Sequence, residues 1–445
     1  GGMTTVTDTI AARPLHPLRI RDFRLYLLAR LCATFGQNSM MIIVGWQAYS
    51  IARMEMGIHA SAARLGLIGL AQFLPLLVLT PVAGWLADRY DRRRIGGMSA
   101  LVLVACAATL TLATIQQWVA LPLIYAVAIF LGIARCFNGP AMSALTPRLV
   151  PRESLPQSIA FSSMAWQTAA IAGPAFGGVL YAIAPWASYA LASGLFLASA
   201  ICLQRIRPIE NPPADRTRHP LRQMIDGLSY VRGNKLVLGA ILLDLVAVLL
   251  AGATALLPVY ARDILHVGST GLGPLAAMTG FGAMLTAFWL GAHPIRNGVG
   301  TKMLIAVGLF GVATAIFGLT AFMPGSIAYT VALVSLFFCG VTDMISVYVR
   351  QSLIQLSTPD EMRGRVSSVS LLTISASNEL GEVESGFAAS LLGPVEAVVL
   401  GGVGAVVAAM FWPRIFPELS QIQRFTSDPA GVAALDSDPA KENVS

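Results

Sequence analysis

Charge is scarce in this 445-residue sequence: Asp, Glu, Lys and Arg together make up 12% of it. A soluble globular chain carries about 25%, so this one reads as a polytopic membrane protein. The five cysteines (Cys32, Cys106, Cys136, Cys202 and Cys339) all fall in apolar runs. That placement excludes a disulfide or metal framework and leaves them as small packing residues. The five histidines (His16, His59, His219, His266 and His293) are scattered over loops, so no metal set is expected. A phosphate loop is missing as well. Gly298-Val-Gly-Thr-Lys302 lacks its spacing, which argues against direct ATP drive. No serine or cysteine nucleophile has a plausible base beside it, so neither an enzyme nor a cofactor is expected. Residues 3–22 contain no apolar core, so no cleavable signal peptide is expected either. Gly1 and Gly2 ahead of Met3 read as an appended remnant and are set aside.

What the sequence does have is apolar length, 56% of it being hydrophobic. A membrane-crossing helix needs ~20 predominantly apolar residues, and twelve such spans can be drawn. They run at about 24–50, 63–87, 96–117, 121–147, 158–184 and 185–203. After a polar interval come 236–260, 270–292, 303–322, 328–357, 366–392 and 396–413. The expected organisation is a cytoplasmic segment 1–22, a six-helix bundle 23–205, a linker 206–235, a second bundle 236–416 and a cytoplasmic tail 417–445. Within the linker, Leu221, Met224, Ile225, Leu228 and Val231 recur at helical spacing, as in an amphipathic helix lying on the membrane.

The net charge of +7 would suit a nucleic-acid partner, but its distribution does not. Most of the Lys and Arg lie in the turns and segments on one side of the spans. Surplus basic charge marks the cytoplasmic face, where it also attracts anionic lipid headgroups. Both termini are therefore expected in the cytoplasm, with lipid and not nucleic acid as the macromolecular surroundings.

The turn between spans 2 and 3 reads Gly84-Trp-Leu-Ala-Asp88-Arg89-Tyr-Asp91-Arg92-Arg93-Arg94. It resembles the motif Gly-x-Leu-Ala-Asp-Arg-x-Gly-Arg-Arg of the major facilitator superfamily. Gly84, Asp88, Arg89 and Arg92 fall on its gating positions, and Asp91 stands where the family has its second glycine. An internal repeat agrees: Phe130 falls on Phe338, Arg135 on Asp343, Pro151 on Pro359 and Glu153 on Glu361, and further on Phe176 falls on Phe387. The resemblance implies an all-α membrane protein with twelve transmembrane helices in two pseudo-symmetric six-helix bundles. The substrate site would lie between the bundles near mid-membrane.

Charges inside spans cost at least roughly 2.5–3.5 kcal/mol at the bilayer centre, so each needs a reason. Arg135 stands in Arg-Cys-Phe-Asn138-Gly139, similar to the span-4 motif Arg-x-x-Gln-Gly of drug–proton antiporters; the alternative is a structural arginine. Asp343, its repeat partner, is expected across the cavity from it, as a proton carrier or as half of a static ion pair. Span 11 carries Glu379, Glu382 and Glu384, and span 7 carries Asp244. Glu379 and Glu382, three apart, share a face. Acids that close in a low dielectric cannot all stay ionised, so a proton is expected in the cluster. Arg350 is expected to snorkel to the interface.

Gly173-Pro174-Ala-Phe-Gly177-Gly178 in span 5 resembles the end of the antiporter motif of exporters, small-residue packing being the alternative. Gln37, Asn38, Trp46, Trp166, Gln167 and Tyr348 are the substrate-cavity candidates. Gln37 takes a place where related multidrug and siderophore exporters often carry an acid. Taken together the resemblance points to the proton-coupled exporter branch of the superfamily. It implies a monomer in the bacterial inner membrane that exchanges protons for an amphipathic small molecule. A metabolite importer or facilitator, and a non-transporting scaffold or sensor, are the competing readings of the same fold.

Overall fold

The computed structural model describes residues 15–209 and 219–424, apart from the side chains of a few residues inside helices, Asp88, Glu361 and Arg363 among them. The outer parts of the expected N-terminal segment, linker and tail lie outside these residues. Among the described residues every regular element is helical. Spans 1 to 6 are Arg21–Glu55, Ile58–Arg89, Arg92–Ile115, Leu121–Leu149, Leu155–Ile183 and Pro185–Gln204. A surface helix Pro220–Gly233 follows. Span 7 begins with Lys235–Ala251, and spans 8 to 12 are Gly268–Ala292, Val299–Leu319, Gly325–Ser357, Asp360–Leu392 and Pro394–Ile415.

Ten of these helices are long and apolar enough to cross a membrane on composition alone. Spans 5 and 11 fall outside that set: span 5 carries Gln157, Gln167 and Pro174, and span 11 carries its three glutamates. Spans 5 and 11 are instead held by their neighbours.

Local chemistry sets the boundaries. Pro185 opens span 6, and a residue preceding proline is pushed out of the α region; Ala184 accordingly takes φ −150° and separates spans 5 and 6. Asn234 starts span 7 by accepting the Val237 amide on its side chain at 3.3 Å. Asp91 does the same for span 3, accepting from the Arg93 amide at 3.0 Å with its own φ at −61°. The motif's glycine is therefore not required at that position, because the turn needs no left-handed residue here and gains a cap instead.

The two halves repeat one packing scheme. In the first, span 3 packs on 6 and on 4, span 2 on 4, and span 1 on 5 and 6; in the second, 9 packs on 12 and on 10, 8 on 10, and 7 on 11 and 12. The halves meet along span 2 against 11 and span 5 against 8. Glycines make both seams close. Gly66 lies backbone to backbone with Gly386, and a Cβ at Gly178 would sit 2.9 Å from the Gly273 nitrogen. Such small-residue seams let transmembrane helices approach within van der Waals contact of their main chains.

Span 7 is not continuous. After Ala251, Gly252 leaves the helical region (φ −74°, ψ 69°), and the chain passes through a tight turn at Ala253–Leu256 before a π-helical turn at Tyr260–Ile264. The Gly252 carbonyl, freed from the ladder, accepts the Ser385 hydroxyl of span 11 at 2.8 Å. Irregular backbone at membrane depth persists only where it is buried in protein or faces a cavity. The surface helix docks on span 11 through Gly227, where a Cβ would meet the Arg365 carbonyl at 2.7 Å. Of the apolar positions read from the sequence, Leu221, Ile225 and Leu228 remain exposed, while Val231 is buried against the second half.

Candidate functional site

A cavity of about 700 Å³ lies between the halves. One wall is a stripe on span 1, Arg30, Thr34, Gln37, Asn38 and Met41, at helical spacing. Arg135 and Asn138 of span 4 and Trp166 and Pro174 of span 5 continue it. The facing wall comes from the span-7 break (Val248, Gly252, Thr254, Ala255, Pro258), Ala276 of span 8, and Asn378, Glu379 and Glu382 of span 11.

The closed end lies away from the termini. There Tyr49 and Arg53 of span 1 both bond Asp263 at the end of span 7, the Arg53 Nε at 3.0 Å. Arg262 donates to the Ser50 carbonyl at 3.0 Å, and His59 meets the Ser390 carbonyl at 3.2 Å. The Gly-Pro motif of span 5 lies in the same region. A Cβ at Gly173 would reach the Phe35 carbonyl at 2.9 Å, Gly177 packs on Ser39 of span 1, and a Cβ at Gly273 of span 8 would sit 2.7 Å from the Pro174 carbonyl. The motif is thus a three-way contact that lets span 5 lie against both span 1 and the other half.

Inside the cavity Arg135 bridges the halves. Its Nη1 bonds Glu379 of span 11 at 2.7 Å and the Gln72 side-chain oxygen of span 2 at 2.9 Å. The pair is asymmetric: the arginine side chain is 40% exposed to the cavity and the glutamate 7%. The second Glu379 oxygen is buried without a hydrogen-bond partner. Two glycines allow the arrangement. Gly132 rests on the Gln72 backbone, at 2.8 Å from its carbonyl for an added Cβ, and Gly69 faces Glu382 Cβ at 2.9 Å. Span 2 is thereby clasped between spans 4 and 11, with Glu382 beside Glu379 on the cavity surface.

The repeat led to the expectation that Asp343 would face Arg135. The structure pairs Arg135 with Glu379, and Asp343 is not among the cavity-lining residues. Asp343 lies instead within electrostatic reach of Asp244 and Arg350, inside the second half. Arg350 does not snorkel: it is 2% exposed and forms an ion pair with Asp244 of span 7, itself 5% exposed. Asp343 and Arg350, seven apart, share one face of span 10, so this half holds its own buried group of two acids and a base. Glu384 projects away from the cavity lining, as its offset from Glu379 and Glu382 requires.

Of the cavity candidates, Gln37, Asn38 and Trp166 line the space, while Trp46, Gln167 and Tyr348 do not. Trp46 is buried in an apolar cluster to which both halves contribute. Gln47 is interhelical glue, donating to Thr114 at 3.2 Å and accepting from the Tyr189 hydroxyl at 2.7 Å. Arg30 and the span-7 break were missed by the sequence reading. The Gly252…Pro258 spacing inside an apolar run was the available signal for the break. In the turn after Gly84, Arg89 stacks over the Trp85 ring at 4.4 Å and Arg92 donates to the Ala87 carbonyl at 3.2 Å. The Asp88 side chain lies outside the described residues.

Two six-helix halves around a charged central cavity define a membrane transporter. The chain belongs to the major facilitator superfamily, whose family model matches residues 26–381. It is similar to the enterobactin exporter EntS of Escherichia coli O1:K1, 26% identical over 420 residues that cover 93% of this chain and 96% of that one. The same exporter of Citrobacter koseri is 26% identical over 412 residues, 92% of this chain and 94% of its own. Among solved structures, a bacterial homologue of the human lysosomal transporter Spinster, inward-facing and occupied, superposes with a TM-score of 0.69. It is 16% identical and the match covers 93% of this chain and 99% of that one. That likeness concerns the fold.

Proposed function

We propose that the chain exports an amphipathic organic compound, drug-like or siderophore-like, across the bacterial inner membrane in exchange for protons. The observation that carries this reading is the Arg135–Glu379 pair. It ties span 4 to span 11 across the cavity, with Glu382 alongside, so it is a bond between halves that a proton can break. With Glu379 ionised, the guanidinium holds the halves in the present arrangement. A proton delivered to the Glu379–Glu382 pair removes the charge that Arg135 binds, and the N-half wall can part from span 11. The relatives' printed name, enterobactin exporter, supports the export direction and a siderophore-like cargo.

In the same reading the Lys and Arg surplus puts both termini in the cytoplasm, so the cavity opens inward and the Arg53–Asp263 end faces outward. The turn at Gly84, Asp88, Arg89 and Arg92 braces spans 2 and 11 in the outward-open state. The Asp244–Asp343–Arg350 group is a further proton-coupling candidate. The transporter works as a monomer in its lipid.

A proton moving down ~100 mV contributes about 2.3 kcal/mol, enough for a roughly fiftyfold cargo gradient. The test uses Glu379→Gln, Glu382→Gln and Asp343→Asn in separate proteoliposome preparations, with enterobactin as probe cargo and an imposed pH step. The expected result is that exchange persists while uphill export fails in at least one variant. Uphill export at the wild-type level in all three would overturn the coupling assignment. Export slowed instead of driven by an inward proton gradient would favour an importer.

A further inference from the structure

Arg30 is a charge in the cavity wall that the coupling scheme above does not use. It lies on span 1 nearer the terminal-bearing end, four residues from Tyr26 and therefore on the same helix face. Its Nη1 donates to the Tyr26 hydroxyl at 2.9 Å, and that hydroxyl donates in turn to the Met142 carbonyl of span 4 at 3.1 Å. Tyr26 is fully buried. The tyrosine is thus a fixed post between spans 1 and 4 that holds one edge of the guanidinium. Among the described residues Arg30 has no acidic partner, unlike Arg135, Arg53 and Arg350, each of which has one. Its Nε and Nη2 edge is left for whatever occupies the cavity.

The surroundings sort by polarity. Asn138 of span 4 lies about one turn above Met142 and so at roughly the height of Arg30; Gln37 and the free edge of Arg135 stand about one to two turns deeper. All four line the cavity. On the opposite wall the span-7 break and span 8 contribute Val248, Ala255, Pro258 and Ala276, an apolar surface, while span 11 contributes Asn378, Glu379 and Glu382, of which Glu379 is paired with Arg135. The first wall therefore presents two guanidinium groups and three amides; Glu379 already occupies Arg135, which leaves Arg30 as the guanidinium without an acidic partner among the described residues. A planar guanidinium held by one edge is suited to a carboxylate or phenolate bound in parallel by the other.

From this we infer that the cargo is an amphipathic organic anion. Its acidic oxygens are bound by Arg30, with Asn138 beside it, and its apolar body lies on the broken part of span 7. Arg30 is then the residue that sets charge selectivity. The inference rests on the reading of this cavity as the cargo site, but not on the identity of the coupling acid. It also fits the energetics of export: an anion leaving and a proton entering move charge in the same sense, so an inside-negative potential drives both.

The full chain in nanodiscs, titrated calorimetrically with 1-naphthoate and with its neutral isostere 1-naphthamide, provides the test, empty nanodiscs correcting for lipid uptake. Wild type should bind the acid about tenfold more tightly, as expected for a charge-assisted bond. Arg30→Gln should bring the two within about twofold, and Arg30→Lys should keep part of the preference, since it retains charge without the planar fork. A Cβ at Gly139, on the cavity wall, meets nothing within 4 Å, so Gly139→Leu should fold and weaken both probes equally, which locates them in the cavity. Equal affinities in wild type, no binding of either probe, or a preference unchanged in Arg30→Gln would each overturn the inference. If Arg30→Gln fails to fold, the wild-type pair and Arg30→Lys still decide. Acid preference retained while the pH-step assay shows no proton drive would refute the coupling scheme alone; proton drive intact without acid preference would refute this inference alone.

Discussion

Arg53 near the end of span 1 and Asp263 at the end of span 7 are joined across the two halves at 3.0 Å, with the Tyr49 hydroxyl on the same carboxylate. Both side chains are partly exposed, so the pair is open to competition by water. It closes the end of the cavity opposite the termini, and breaking it should favour the alternate opening. With spin labels at Met54 and His266, Asp263→Asn and Arg53→Gln should each shift the distance distribution to longer values. The swap Arg53→Asp with Asp263→Arg should restore it. Distributions identical to wild type would show that apolar packing alone holds that end shut.

Backbone proximity at the Gly-Pro motif predicts a graded response to side-chain size. Gly178→Val must displace the Ser269–Gly273 backbone, and Gly177→Val must displace Ser39. Overpacking of this kind costs about 1–3 kcal/mol or more, seen as a fall of several degrees in thermal unfolding in detergent. Gly139→Ala meets no atom and should leave the melting temperature unchanged or slightly raised. Equal melting of all three would mean that the seam relaxes freely.

Two further ion pairs, Asp244–Arg350 inside the second half and Asp226–Arg365 between the surface helix and span 11, should differ in weight. Arg350→Ala leaves Asp244 buried and unpaired, and loss of one partner of a buried pair costs about 3–5 kcal/mol. Arg365 and Asp226 are 3.6 Å apart with side chains 33% and 47% exposed, and Asp226→Ala should cost no more than about 1 kcal/mol. Denaturation in mixed micelles can rank the two. A small effect of Arg350→Ala would indicate water reaching Asp244.

Sidedness follows from the charge distribution and can be checked directly. In a background cleared of reactive cysteines, a cysteine at His266 should react with an impermeant maleimide added outside intact cells, and one at Arg222 only after permeabilisation. Both positions are exposed. The reverse pattern would invert the membrane orientation and turn the proposed exporter geometry around.

The sequence announced the architecture more fully than the site. Apolar run lengths located the spans, and a single turn motif located the family, because both depend on local composition. Span 11 was drawn with the others at 366–392, although its glutamates lower the very hydropathy that marks a span. Arg350 was misjudged because its partner, Asp244, lies on another helix and burial of a charge depends on that partner. The repeat aligned Asp343 with Arg135, but positions aligned in two halves need not face each other once side chains of different length choose partners. Arg30 was overlooked for the converse reason: an arginine close to a helix end resembles an interface anchor until the cavity beside it is known.

The break in span 7 has a mechanical consequence. Its inner length is fastened to the second half, through Asp244 and Arg350. Its outer part is shared between the halves: Tyr260 donates to the Gly318 carbonyl of span 9 at 2.9 Å, and Asp263 bonds Arg53 and Tyr49 of span 1. The two lengths meet at Gly252, where the Ser385 hydroxyl bonds the carbonyl. A displacement of the outer length can be taken up at that joint without bending a continuous rod. The joint stands in the cavity wall, so a molecule lodged against it bears on the connection between the halves.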